Sequence, residues 1–135
     1  SMDPLVTEGK PQLLKVFQDL TALCDSTGIC LFTTFGIGLP EIAGMYREAV
    51  GSDESDEEIL LKGERIWNLE KRFNIAAGVE KDTLPPRLLR ENLKTGPATG
   101  KVNELQVMLK EYYAERGWDE EGIPTPEKLE QLSIE

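Results

Sequence analysis

An all-α fold is predicted by three features of the sequence. Apolar residues recur at helical spacing, capping signals separate the periodic stretches, and nowhere do apolar and polar residues alternate long enough for a useful strand. The expected architecture is an irregular bundle of about five helices with long connections.

The first helix is predicted over about 9–26. Leu13, Phe17, Leu20 and Cys24 form its apolar face, with Val16 and Leu23 beside them. Pro11 suits a first turn, where a missing N–H leaves no bond unmade. Gly28 stops the helix by tolerating positive φ. The next stretch, Ile29-Cys30-Leu31-Phe32-Thr33-Thr34-Phe35-Gly36-Ile37-Gly38, is apolar and carries no charge. Solvent loops are normally polar, so this segment is expected to be buried against something.

A second helix is predicted over about 40–50, followed by the turn Gly51-Ser52-Asp53-Glu54. Ser55 and Glu58 then form a capping box. Asp53, Glu54, Asp56 and Glu57 crowd the positive end of the helix they open. That helix is expected to be the longest, running to about Asn74, with Ile59, Ile66, Leu69 and Phe73 on one stripe. Pro85-Pro86 and Gly96-Pro97 make 77–100 irregular, with one helical turn near 87–91. Asn103 is expected to cap a helix carrying Leu105, Met108, Leu109 and Tyr112, which Gly117 closes. Thr125 caps and Pro126 opens a last short helix.

The 135 residues suit one compact domain, and a chain of this size buries roughly two-thirds of its unfolded surface. Apolar residues make up 39% and charged residues 30%, a balance unlike that of a membrane protein or a disordered tail. No apolar run approaches the ~20 residues of a spanning helix. The opening residues do not read as a signal peptide. Ser1-Met2 ahead of Asp3-Pro4-Leu5 reads as an expression scar on a sequence cut from something longer, which leaves 3–135 as the native domain.

Acidic residues number 25 against 15 basic, for a net charge of −10. Phosphate backbones and anionic membranes repel such a chain, so neither nucleic acid nor membrane is an expected partner. There is no histidine, which removes His-based metal sites, His general bases and Ser-His triads from this chain. Cys24 and Cys30 cannot by themselves supply four ligands to zinc or an iron–sulfur cluster. Nothing points to a disulfide framework, and a reducing cytoplasm is the expected compartment.

One constellation has a chemical reading: Asp25-Ser26-Thr27-Gly28-Ile29-Cys30. A carboxylate, a glycine turn and a cysteine meet where a helix stops. The carboxylate can accept paired hydrogen bonds from an amine-rich heterocycle, the glycine allows close backbone approach, and the cysteine can present a thiolate to a metal cluster. The same six residues admit a plainer reading, in which Asp25 ends a helix, Gly28 caps it and Cys30 is a small buried hydrophobe.

Asp25 to Cys30, followed by Leu31-Phe32, resembles the pterin-binding and cluster-ligating motif of the tungsten-containing aldehyde ferredoxin oxidoreductase family. Three further blocks resemble that family in its order and at about its spacing. They are Gly63-Glu64-Arg65-Ile66-Trp67-Asn68-Leu69-Glu70, Asp82-Thr83-Leu84-Pro85 with Arg87, and Arg116-Gly117-Trp118-Asp119 through Gly122-Ile123-Pro124. The resemblance extends over 3–133.

It implies the C-terminal part of the helical third domain of an enzyme that oxidises aldehydes to carboxylic acids. The parent would use a tungsten bis-pterin cofactor and pass electrons through a [4Fe–4S] cluster to ferredoxin. Cys30 falls at the position of the cluster-ligating cysteine and Asp25 at that of the pterin-binding aspartate, with Gly28 and Ile29 lining the same turn. The other three cluster cysteines, the β-rich first domain and the family's catalytic acid and histidine have no counterpart here. The isolated chain is therefore expected to hold no cofactor and to be inactive, its partners being the remaining domains of the parent enzyme. Cys24, Trp67 and Trp118 read as core residues. Glu64 and Arg65 read as pairing locally or as a solvated face. The uncovered apolar stretch from Ile29 to Ile37 makes self-association an expectation. The rival from another class is a stand-alone helical interaction module without a redox role.

Overall fold

The computed structural model describes residues 3, 5–79 and 81–135. The proposed scar Ser1-Met2 lies outside the described residues. Among the described residues six α-helices follow one another: α1 Lys10–Thr27, α2 Leu39–Val50, α3 Asp56–Ala76, α4 Pro86–Arg90, α5 Leu105–Arg116 and α6 Pro126–Gln131. A short 3-10 helix, Leu31–Phe35, joins α1 to α2. The fold is all-α. Among the described residues the sole β feature is a bridge between Trp118 and Pro124.

Local signals set the boundaries. Gly28 closes α1 at φ 75° and Gly117 closes α5 at φ 68°. Ser55 Oγ accepts from Glu58 N–H at 3.2 Å while the Glu58 carboxylate accepts from Ser55 N–H at 2.7 Å. Thr125 Oγ1 accepts from Lys128 N–H at 3.3 Å to start α6. Asn103 does not cap α5: Glu104 precedes its first turn, and no side chain caps it. The Asn103 N–H instead donates to the Leu88 carbonyl, tying the irregular segment back to α4.

Helix α1 is the spine, packed on α3 and α5. It meets α3 at Gly63. A β-carbon there would lie 2.0 Å from the Asp19 carbonyl oxygen, so only glycine allows the two backbones this close. Two apolar clusters flank the crossing. Leu23, Cys24, Ile42, Ala43 and Ile59 form one between α1, α2 and α3. Tyr112, Tyr113 and Trp118 form the other, with Trp67 and Leu109 against it. Trp67 and Trp118 thus pack as expected.

The expected apolar faces are buried only in part: Leu20, Leu23 and Cys24 of α1 and Ile59 of α3 join the first cluster. Leu13, Val16 and Phe17 of α1 are exposed, as are Leu69 and Phe73 of α3. The buried face of α1 carries Asp19, Ala22, Leu23 and Cys24, and that of α3 carries Ile59, Gly63, Glu64 and Asn68. The 29–38 segment is likewise not buried by this chain. Phe32 is 78% exposed and Phe35 87%, their rings stacked with centroids 6.0 Å apart. Only Ile29 and Ile37 turn inward, against the first apolar cluster.

Candidate functional site

The site begins with how α1 ends. Gly28 N–H donates to the Asp25 carbonyl at 3.3 Å and Ile29 N–H to the Cys24 carbonyl at 3.2 Å. This pair of crossed bonds is the Schellman arrangement, which requires a left-handed residue and favours an apolar contact beneath it. Gly28 supplies the first and Ile29 the second, packing onto the cluster that contains Cys24. The hydroxyls of Ser26 and Thr27 turn back to the Ala22 and Cys24 carbonyls, at 2.8 and 2.9 Å. Every residue between the carboxylate and the cysteine is therefore tied to the helix.

Asp25 is exposed, on a shallow groove shared with Thr21, Ile66, Trp67 and Glu70. Among the described residues, no hydrogen bond or ion pair engages its carboxylate. A helix C-terminus carries negative potential, so an unpaired carboxylate there is matched best by a donor-rich group from outside. A β-carbon at Gly28 would meet nothing within 4 Å, so the turn is open in front of it.

Cys30 is exposed and its thiol unpaired. Its backbone is extended, φ −63° and ψ 127°, and it opens the 3-10 helix. Its carbonyl accepts from Thr33 N–H at 2.9 Å and Thr33 Oγ1 at 2.7 Å, which fixes the backbone that carries the sulfur. Cys24 lies wholly inside, where burial, with the Asp25 charge adding to it, pushes its thiol pKa up. The two cysteines therefore differ in kind: one is an inert core residue and the other is open to an incoming ligand. No cluster of three or more His, Cys, Asp or Glu side chains suited to a metal occurs among the described residues. Cys30 can supply one ligand of a set, with the others coming from elsewhere.

Asp25, Gly28, Ile29 and Cys30 are brought together by one turn, whereas the Gly63–Glu70 and Arg116–Pro124 blocks meet partly in the interior and the Asp82–Arg87 block stays mostly at the surface. Arg116, fully buried, pairs with Asp19 at 2.5 Å. Trp118 Nε1 donates to Asn68 Oδ1 at 2.7 Å. Glu64 is not on a solvated face: it holds Lys15 at 3.1 Å and Lys128 at 3.0 Å. Arg65 donates to the Ser133 carbonyl at 3.0 Å. Asp82 accepts from Lys71 at 2.7 Å and from Tyr113 Oη at 2.8 Å. Sequence reasoning missed the part Asp19 plays. The one available signal was a carboxylate four residues after Lys15 on a helix, a spacing that ordinarily marks solvent-exposed pairs.

A family model described as aldehyde ferredoxin oxidoreductase, domains 2 and 3, matches residues 1–134. The tungsten-containing aldehyde ferredoxin oxidoreductase of Pyrococcus abyssi is 48% identical over 138 residues, covering 99% of this chain and 23% of its own length. That of Pyrococcus furiosus is 48% identical over 137 residues, covering 98% of this chain and 23% of its own length. The aliphatic sulfonate oxidoreductase, WOR-like subunit, of Pyrococcus furiosus is 34% identical over 124 residues, covering 84% of this chain and 20% of its own length. The chain thus spans about a quarter of the length of the curated relatives it matches. With a match running from one end to the other, the chain belongs to the aldehyde ferredoxin oxidoreductase family, in the part described as domains 2 and 3.

Proposed function

We propose that this chain is the C-terminal, third and helical domain of a cytoplasmic tungsten bis-pterin oxidoreductase that converts aldehydes to carboxylic acids. In balance, RCHO and water give RCOOH, two protons and two electrons. A [4Fe–4S] cluster, held in part by Cys30, would pass the two electrons one at a time to ferredoxin. When bound, the tungsten bis-pterin supplies the two-electron oxidation at the aldehyde carbon.

The contribution of this chain is to hold and orient. Cys30 presents a thiolate as one cluster ligand, from a backbone that Thr33 fixes. Asp25 accepts N–H donors of the pterin ring at a helix end where its charge has no partner among the described residues. Gly28 keeps side-chain bulk out of the approach, and Ile29 anchors the turn from below. The observation that carries the reading is the opposite fate of the two cysteines: the one at the motif's ligand position is open and the other is sealed. The rest of the parent enzyme supplies the remaining cluster ligands and the catalytic groups.

The test is iron analysis of the anaerobically purified full-length enzyme. It should hold about four irons per chain for one cluster, and Cys30→Ser should lose the stable cluster. Unchanged iron in Cys30→Ser would reject the assignment. An upstream reading frame without a Cys-x-x-Cys-x-x-x-Cys run would equally count against it.

A further inference from the structure

We propose that Arg116 is a positioning residue for the Asp25–Cys30 turn, acting through α1 from the interior of the bundle. The inference rests on the function proposed above.

Arg116 stands on α5 and is wholly buried. Its Nη1 pairs with Asp19 Oδ1 at 2.5 Å, and its Nη2 donates to Gln18 Oε1 at 2.7 Å and to the Lys15 carbonyl at 3.4 Å. Its Nε donates to Tyr112 Oη at 3.1 Å. Lys15, Gln18 and Asp19 occupy one turn of α1, so a single rigid guanidinium fork grips that turn at three points. Three rings enclose the fork: its carbon lies 5.6 Å from the Trp67 centroid, 5.4 Å from Tyr112 and 6.0 Å from Trp118. The rings are themselves tied, Trp118 to Asn68 and Trp67 Nε1 to Tyr112 Oη at 3.1 Å.

From the other side α1 is stopped by α3. The Asp19 carbonyl sits where any β-carbon on Gly63 would collide, and Lys15 is shared between Asp19 and Glu64. Held at Asp19 from two sides, α1 can neither slide nor turn. Asp25 lies six residues further along the same helix, about 9 Å of rise, and a slip of one residue would swing it by about 100°.

Stability alone does not call for an arginine here. A buried ion pair can often be exchanged for matched apolar side chains without loss, because desolvation offsets most of the attraction. A charged fork with four partners does what an apolar plug does not: it accepts one rotation of α1 and penalises the rest. The sequence blocks at Gly63–Glu70 and Arg116–Asp119 supply much of this enclosure, Gly63, Glu64, Trp67 and Asn68 from the first and Arg116 and Trp118 from the second.

The test uses the full-length enzyme, with the EPR spectrum of the reduced cluster and the rate of iron loss to a chelator as readouts. The decisive variant is Asp19→Leu with Arg116→Met, which removes both charges together. Arg116→Lys is the second variant and serves if the double variant does not fold. Ile134→Ala, a buried site near the C-terminus without a contact to Arg116 or Asp19 among those described, is the control for lost stability. Either positioning variant should change the EPR line shape and release iron about 10-fold faster, as loss of groups that orient metal ligands typically does. Ile134→Ala should leave both unchanged. Folded variants with a native spectrum and native iron retention would overturn the role of Arg116 while Cys30→Ser still loses the cluster. A cluster indifferent to Cys30→Ser would instead reject the functional reading beneath it.

Discussion

Glu64 shows how a buried carboxylate is kept charged. Burial by itself would raise its pKa, but the Lys128 hydrogen bond and the nearby Lys15 charge outweigh that and hold it below the ordinary 4.5. A carboxyl group lowered on folding stabilises the native state above its unfolded pKa, and that contribution is lost as pH falls through the folded value. Thermal unfolding followed against pH should therefore steepen below about pH 4.5, and Glu64→Gln should flatten that slope. At neutral pH the same variant should lose about 1–3 kcal/mol, because two half-buried ammonium groups lose their carboxylate. The cost should be larger at Asp19. Asp19→Ala strands the Arg116 cation in a closed interior and should remove about 3–5 kcal/mol in a urea titration. None of these interior charges was legible in the sequence. Asp, Glu and Arg belong on the surface by default, and only a partner distant in sequence reverses that; Arg116 reaches Asp19 across 97 positions.

Helix boundaries were legible where they depend on neighbours along the chain. The Ser55–Glu58 box, the Thr125 cap and the glycine ends at Gly28 and Gly117 all rest on side chains or φ values within a few residues. Asn103 failed as a cap because its N–H bonds to α4 rather than opening α5. Helix faces were legible only in part, since Leu23, Cys24 and Ile59 are buried as expected. Leu13, Phe17 and Phe73 form helical stripes, yet α1 and α3 meet through Asp19 and Gly63 instead. Periodicity shows that a stripe is covered by something, without saying by which chain. Gly63 carries the crossing, so Gly63→Ala should force the helices apart and cost at least about 3 kcal/mol in the same titration. Gly28→Ala should cost about 1–2 kcal/mol, since the space beside Gly28 is open and only the left-handed backbone is penalised.

Across the whole molecule, a few paired polar groups share the interior with two apolar clusters, while many large apolar side chains look outward. Among the described residues, no buried side-chain nitrogen or oxygen lacks a hydrogen-bond partner. Meanwhile Phe17, Phe32, Phe35 and Phe73 stand in the open, Phe73 at 73% exposure. That is the layout of a part whose covering lies in another part, and it agrees with a chain that spans 23% of its relatives' length. Isolated, it should associate through these faces. Light scattering should give masses above the monomer's at high concentration, and Phe32→Ser with Phe35→Ser should restore the monomer; a clean monomer before substitution would refute this. The candidate site was legible because one short turn contains it, whereas the clamp behind it was not, because it draws on three helices distant in sequence. The contrast between Cys24 and Cys30 also gives the protein a built-in gauge of its own integrity. A thiol-reactive dye should label one sulfur per chain under native conditions and two after unfolding, so the ratio of slow to fast labelling reports the fraction of intact molecules in any preparation.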